Sequence, residues 1–164
     1  MNYLIAAAFA AAALATGAQA AKPAPKLLAP INQFIDSFDK GDMAGAAATH
    51  MADVTIIDEV PPHMWRGPKA LETWAGDLMA DDKKNGMSGE KVTLGKPVRQ
   101  VVSGDKGYVV IRATFSYKQN GVDMVEPAQM TFALQTTKEG WKISAWAWDG
   151  TVPKPATPAA APAK

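Results

Sequence analysis

Four extended runs separated by tight-turn residues restrict this chain's fold more than any other feature. They cover Val92–Val102, Gly107–Lys118, Met124–Thr136 and Trp141–Trp148. The intervening Ser103-Gly104-Asp105, Asn120-Gly121 and Glu139-Gly140 are hairpin chemistry, because Gly and Asn reach the positive φ that short β-turns need. Consecutive strands joined this tightly pair with their neighbours, so the C-terminal half is expected to form antiparallel hairpins in sequence order.

The first half has a different period. Leu27, Ile31, Phe34, Ile35 and Phe38 recur at helical spacing, and Gly41 follows as a stop. Asp42 is a suitable N-cap for a short alanine-rich helix running to about His50. In VTIID, Val54, Ile56 and Asp58 share one face of a strand. Gly67-Pro68 opens a third helix whose apolar stripe is Leu71, Trp74, Ala75, Leu78 and Met79, closed by Asn85-Gly86. Helices first and a meander afterwards define the expected class: α+β, with three helices packed in a strongly curved, mainly antiparallel sheet.

Charge and composition exclude several functions. Lys and Arg number 17 against 16 Asp and Glu, and no basic stripe interleaved with aromatics is present, so nucleic acid is not an expected partner. The Lys83-Lys84 pair fits a solvated helix C-terminus. With no cysteine, disulfides, thiolate nucleophiles and cysteine-ligated zinc are excluded. Two histidines without a ligand pattern make no metal site, and no phosphate loop, dinucleotide fingerprint or nucleophile elbow occurs. No metal or organic cofactor is expected.

The ends have their own character. MNYLIAAAFAAAALATGAQA is uncharged and apolar from Leu4 to Leu14, with Ala18-Gln19-Ala20 at cleavage-type positions. A signal peptide over residues 1–20 is expected, hence a periplasmic or secreted protein with no membrane span after its removal. Residues 21–30 read as a Pro/Ala linker, 31–150 as the single folded domain, and 151–164 as a disordered Pro/Ala tail.

The order helix, helix, short strand, helix, long meander, together with FIDSFDKGD (Phe34–Asp42), Asp58 nine residues before Gly67, RGPKAL and TFALQTTKEGWKISAWAW, resembles the nuclear transport factor 2-like superfamily. That group includes SnoaL-like proteins and ketosteroid isomerases. The resemblance implies a cone: a bent sheet wrapped around helices, with an apolar pocket opening at one end. It also implies a homodimer through the convex face of the sheet. Fold alone leaves function open.

The same resemblance puts IIDEVPPHMWRG, Ile56–Gly67, at the pocket mouth. Asp58 then lies among apolar neighbours, where burial raises its pKa and suits it to proton transfer; capping a turn or pairing with Arg66 is the structural alternative. Strand alternation turns Glu59 to solvent. His63 is a candidate acid or base partner for Asp58, whereas His50, at a helix end, is read as charged and structural. Candidate pocket residues are Phe34 and Phe38 of the first helix, Trp65 and Trp74, Tyr108 and Arg112, and Trp146 and Trp148. For each tryptophan, plain core packing is the alternative.

Two functions remain open at this level: a module binding a small apolar ligand, or an acid–base enzyme (isomerase, dehydratase or hydrolase) using Asp58 with His63. The number of titratable groups converging on the void separates them. Ketosteroid isomerisation itself is not expected. Phe34 stands where the resemblance asks for a tyrosine, and Met130–Thr136 holds no second acid.

Overall fold

The computed structural model describes residues 25–157. The expected signal peptide, the start of the linker and the end of the tail lie outside the described residues.

A short 3-10 turn, Pro25–Leu27, leads into α1 (Ala29–Asp39), α2 (Met43–Ala48), β1 (His50–Ile57), β2 (Met64–Gly67) and α3 (Ala70–Asn85). Four long strands follow: β3 (Met87–Ser103), β4 (Lys106–Gln119), β5 (Val122–Thr137) and β6 (Gly140–Gly150), then a two-residue β7 (Lys154–Pro155). The sheet order is β2-β1-β6-β5-β4-β3. Every pair along it is antiparallel except β1 with β6. The class is α+β, and the sheet wraps α1 and α3 as a cone.

Local chemistry explains the elements. Asp42 caps α2 by accepting the Gly45 N–H at 2.9 Å, a contact typically worth about 1 kcal/mol. α3 ends where Gly86 turns left-handed, at φ 65°, as helix C-caps commonly do. β3 is an edge strand whose register shifts at three places between Ser88 and Arg99; such bulges bend a strand and raise its twist. Its first half is joined to α1, where Asp39 accepts the Val92 N–H at 2.9 Å.

Pairing across the sheet lines up Trp65, Ile56, Trp146, Phe132 and Val109 on the concave face. All five are buried under the helices together with Leu27, Ile31, Phe34 and Trp74. Each such side chain contributes about 1.5–3 kcal/mol on leaving water, so this row sets which face of the sheet is inside.

Several expectations are corrected. Leu27 is fully buried, so the folded region begins inside the supposed linker. At the other end, residues 151–156 are tied to β5: Thr151 N–H donates to Pro127 O at 3.1 Å and Ala156 N–H to Asp123 O at 2.8 Å. The composition there predicts disorder because it offers no apolar face, but an unpaired stretch of β5 beyond the end of β6 supplies backbone partners instead. Met64–Gly67 is a strand rather than rim loop, and α3 starts at Ala70 rather than at Pro68. Met79 leaves the apolar stripe and is 71 % exposed. Among the described residues, no helix is long and apolar enough to cross a membrane.

Candidate functional site

The open end of the cone holds a cavity of about 210 Å³. α1 contributes Phe34 and Phe38, the β1–β2 turn Asp58 and Glu59, and α3 Trp74, Asp81 and Asp82. β4 adds Phe115 and Tyr117, β5 Glu126, and β6 Trp146 and Trp148. Seven aromatic rings and five carboxyl groups therefore share one small space, and no Lys, Arg or His lines it.

The rings brace one another. Trp74 meets Trp146 edge-on with centroids 5.0 Å apart, and Phe34 lies 5.5 Å from Trp146. On the far wall Phe115 contacts Tyr117 at 5.0 Å and Trp148 at 6.0 Å. Offset and edge-to-face contacts of this kind are favourable beyond simple area burial.

Two indoles hold carboxylates. Trp74 Nε1–H donates to Asp58 Oδ2 at 2.8 Å, and Trp148 Nε1–H donates to Glu126 Oε1 at 3.1 Å. Burial pushes the Asp58 carboxyl above its ordinary range, against the opposing pull of that indole N–H and of the backbone N–H groups beside it. Glu126 is only 1 % exposed, and burial pushes it up as well. Its carboxyl is within hydrogen-bonding reach of Glu59, whose pKa is pushed up to about 7, first by burial and then by the neighbouring Glu126 charge. Burial and like charge favour a single proton between the two carboxyls, and the indole N–H donated to Glu126 favours that proton on Glu59.

Gly150 makes this arrangement possible. A Cβ at that position would fall on Glu126 Oε1 and lie 2.7 Å from Trp148 Nε1. A glycine at the end of β6 is thus required by the close approach of the Glu126 carboxylate.

The structure brings five of the eight expected pocket residues to the cavity: Phe34, Phe38, Trp74, Trp146 and Trp148. Three lie elsewhere. Tyr108 and Arg112 project from the opposite, exposed face of β4, because the inward set of that strand is Val109, Ile111, Ala113, Phe115 and Tyr117. Trp65 is buried but packs outside the cavity, donating to Asp77 Oδ2 of α3 at 2.8 Å.

The two histidines are also corrected. His63 is exposed, at φ 73°, and its ring Nδ1 lies 3.3 Å from the Asp58 backbone oxygen; the ring is not part of the cavity wall. His50 opens β1 rather than ending a helix. Its ring is buried edge-on against Phe34 at 4.7 Å, Nδ1 sits 2.8 Å from Ala46 O, and burial lowers its pKa to about 4. It is neutral, so no charge–dipole contact arises.

Glu59, Asp81, Asp82, Tyr117 and Glu126 escaped the reading by pattern. Glu59 does so because alternation stops with β1 at Ile57, so the turn after it carries both Asp58 and Glu59 to the mouth. Glu126 had a usable signal. It shares strand parity with Met124, Met130, Phe132 and Leu134, and a carboxylate on an apolar strand face is exceptional. The inner face of β5 therefore carries one acid, four residues before Met130.

A family model of the SnoaL-like domain matches residues 27–147, and the chain belongs to that family. No curated protein matches the chain significantly. Among solved structures, the hexachlorocyclohexane dehydrochlorinase LinA-type3 from Novosphingobium barchaimii LL02 is similar at 13% identity and TM-score 0.69, over 82% of this chain and 90% of that one. A ketosteroid isomerase-like protein from Erwinia carotovora atroseptica gives 15% identity and TM-score 0.59, over 77% and 95%. The Kfla4162 protein from Kribbella flavida gives 14% and 0.65, over 79% and 90%. Likeness at these identities shows the fold.

Proposed function

We propose that the protein is an acid–base catalyst working with its own carboxyl groups on a small molecule held in the cone, in the class of dehydration, isomerisation or hydrolysis. The observation that carries this reading is the neighbouring Glu59 and Glu126 carboxyls on an aromatic wall, with Asp58 held separately by Trp74. A pocket for an apolar ligand has no need of several desolvated acids. Structural ion pairing does not account for them, because none of the three ion pairs among the described residues involves a cavity carboxylate.

The groups divide the work. Asp58, its anion steadied by an indole N–H, accepts a proton from substrate. Glu59 delivers one to the oxygen that leaves or receives charge, and Glu126 keeps that proton in place. Positioned proton transfer of this kind supplies about 10²–10⁴-fold in rate. The dehydrochlorinase and isomerase-like names of structural neighbours fit a proton-transfer chemistry on this fold.

The test is solvent exchange. A panel of small hydroxy-carbonyl compounds and esters is incubated with the protein in heavy water and followed by NMR. The expected result is deuterium incorporation, water loss or cleavage in one compound class, with a rate that declines above about pH 7 as Glu59 ionises. Full turnover by Asp58→Asn would overturn the assignment. Saturable quenching of tryptophan emission without any exchange would leave the binding-module reading instead.

Ketosteroids are not proposed as substrates: beside the missing tyrosine at Phe34, the void of about 210 Å³ lies below the roughly 300–1,000 Å³ of pockets that take drug-sized ligands. Export and a homodimer complete the proposal. The first is supported by the apolar N-terminal run and checked by intact mass. The second is supported by the exposed outer-face residues Val98, Val101 and Tyr108 and checked by light scattering.

A further inference from the structure

The charge inside the cone contrasts with the charge of the chain. The whole protein is balanced at +1, yet Asp58, Glu59, Asp81, Asp82 and Glu126 face a single cavity whose wall carries no basic side chain. They enter from three separate elements, the β1–β2 turn, α3 and β5; α1 and β6 add only uncharged groups. Among the described residues, no three His, Asp or Glu side chains gather closely enough to hold one metal ion. The negative charge is therefore spread around an organic-sized space.

The remainder of that wall suits the same occupant. Trp74, Trp146 and Trp148 present ring systems there, and indole is the best aromatic partner for a cation within about 6 Å of its centroid. Two polar groups on the wall lack partners. Trp146 is 3 % exposed and its Nε1–H is buried without an acceptor. Tyr117 is 6 % exposed, and its hydroxyl makes no hydrogen bond among the described residues while lying close enough to Glu126 and Glu59 to feel their charge. The Tyr117 hydroxyl on the cavity wall is therefore free to bond a ligand that carries an oxygen.

From this combination we infer that the cavity selects a small organic cation, an alkylammonium or quaternary ammonium compound carrying a hydroxyl or carbonyl oxygen. The ammonium group lies against the indole faces and is neutralised by Asp58 and Glu126. The oxygen takes the free hydroxyl of Tyr117. The inference deepens the proposed function and rests on its premise that the cavity is the ligand site; it does not depend on which proton-transfer reaction follows.

Three probes of nearly the same shape isolate the charge: choline, its neutral counterpart 3,3-dimethylbutan-1-ol, and the anion 3,3-dimethylbutanoate. Each is titrated into the purified protein by calorimetry and tryptophan emission at pH 8 and pH 5. Choline is expected to saturate and to bind about tenfold more tightly than the alcohol at pH 8, with the anion weakest. At pH 5 that advantage shrinks, because protonation of Glu59 and its neighbours removes the charge. Glu126→Gln shrinks it too, while an unchanged affinity for the alcohol shows that the variant cavity is intact. Equal or tighter binding of the alcohol, or preference for the anion, overturns cation selectivity and leaves the cavity standing as the site. Failure of all three probes to saturate overturns the inference together with the premise that this void is occupied.

Discussion

Two seams between the β1–β2 hairpin and α3 contain the same bond, and only one of them belongs to the site. Trp74 of α3 donates to Asp58 of the turn, and Trp65 of β2 donates to Asp77 of α3, each at 2.8 Å. The bonds run in opposite directions across one interface. What differs is the surroundings. Asp58 faces a void with four further carboxyl groups on its wall, whereas Asp77 lies at the outer seam, off that wall. An indole–carboxylate bond is thus a fastening in one place and part of a proton-transfer site in the other, and the cavity makes the difference.

The largest expected effect breaks the symmetry directly. Asp58→Asn should lower turnover by about 10²–10⁴-fold, while Asp77→Asn should leave it within about twofold. Steady-state kinetics on the substrate found by solvent exchange reads both. Comparable losses from the two variants would mean that both seams act only by holding the hairpin.

Gly150→Ala tests the third indole–carboxylate bond, Trp148 with Glu126. The added methyl occupies the position of Glu126 Oε1, and overpacking of this kind typically costs about 1–3 kcal/mol. Denaturant unfolding should show that loss, accompanied by a fall in activity. Glu126→Ala in the same chain should recover most of the stability but none of the activity.

The pH dependence of stability is expected to carry two opposed slopes. Glu59 rises from 4.5 to about 7 on folding and Asp82 from 3.8 to about 6. In those windows the folded state binds more protons, so stability declines as pH increases towards 7. His50 falls from 6.5 to about 4; there the unfolded state binds more protons, so stability declines as pH drops from 6.5 to 4. Two raised carboxyls outweigh one lowered histidine, so urea midpoints should fall in the wild type as pH increases from 4 to 8. Glu59→Gln should flatten the curve, because the Asp82 and His50 slopes then nearly balance. A wild-type curve as flat as the variant's would show that the Glu59 carboxyl is not perturbed.

The smallest effect sharpens the opening contrast from its other side. Trp65→Phe removes one hydrogen bond and should cost about 1 kcal/mol, with choline binding unchanged. Trp74→Phe loses a similar bond but should weaken choline binding as well, by exposing Asp58 to a different partner and replacing an indole face.

Much of the fold is legible from local chemistry. The turn residues Asn120-Gly121 and Glu139-Gly140 do close hairpins, Asp42 does cap α2, and the apolar spacing of Ile31, Phe34, Ile35 and Phe38 does mark the inner face of α1. Each depends on residues within a few positions of one another. The ordering of residues 151–156 was not legible, because it depends on unpaired backbone elsewhere in the sheet rather than on their own composition.

The candidate site divides along the same line. Asp58 and the aromatic residues Phe34, Trp74, Trp146 and Trp148 follow from strand parity, helix spacing and the resemblance to a known cone. Which face of β4 is inside, and therefore whether Tyr108 and Arg112 or Phe115 and Tyr117 meet the cavity, was decided by strand pairing and by the row of buried side chains crossing the sheet. Glu126 meets Glu59 only because β5 pairs with β6 and β1 pairs with β6 in parallel. Sequence by itself determined the elements and their apolar faces, since those are properties of a short segment in water. Tertiary structure alone decided which acids become neighbours in the cavity, since that is a property of distance and desolvation between segments far apart in the chain.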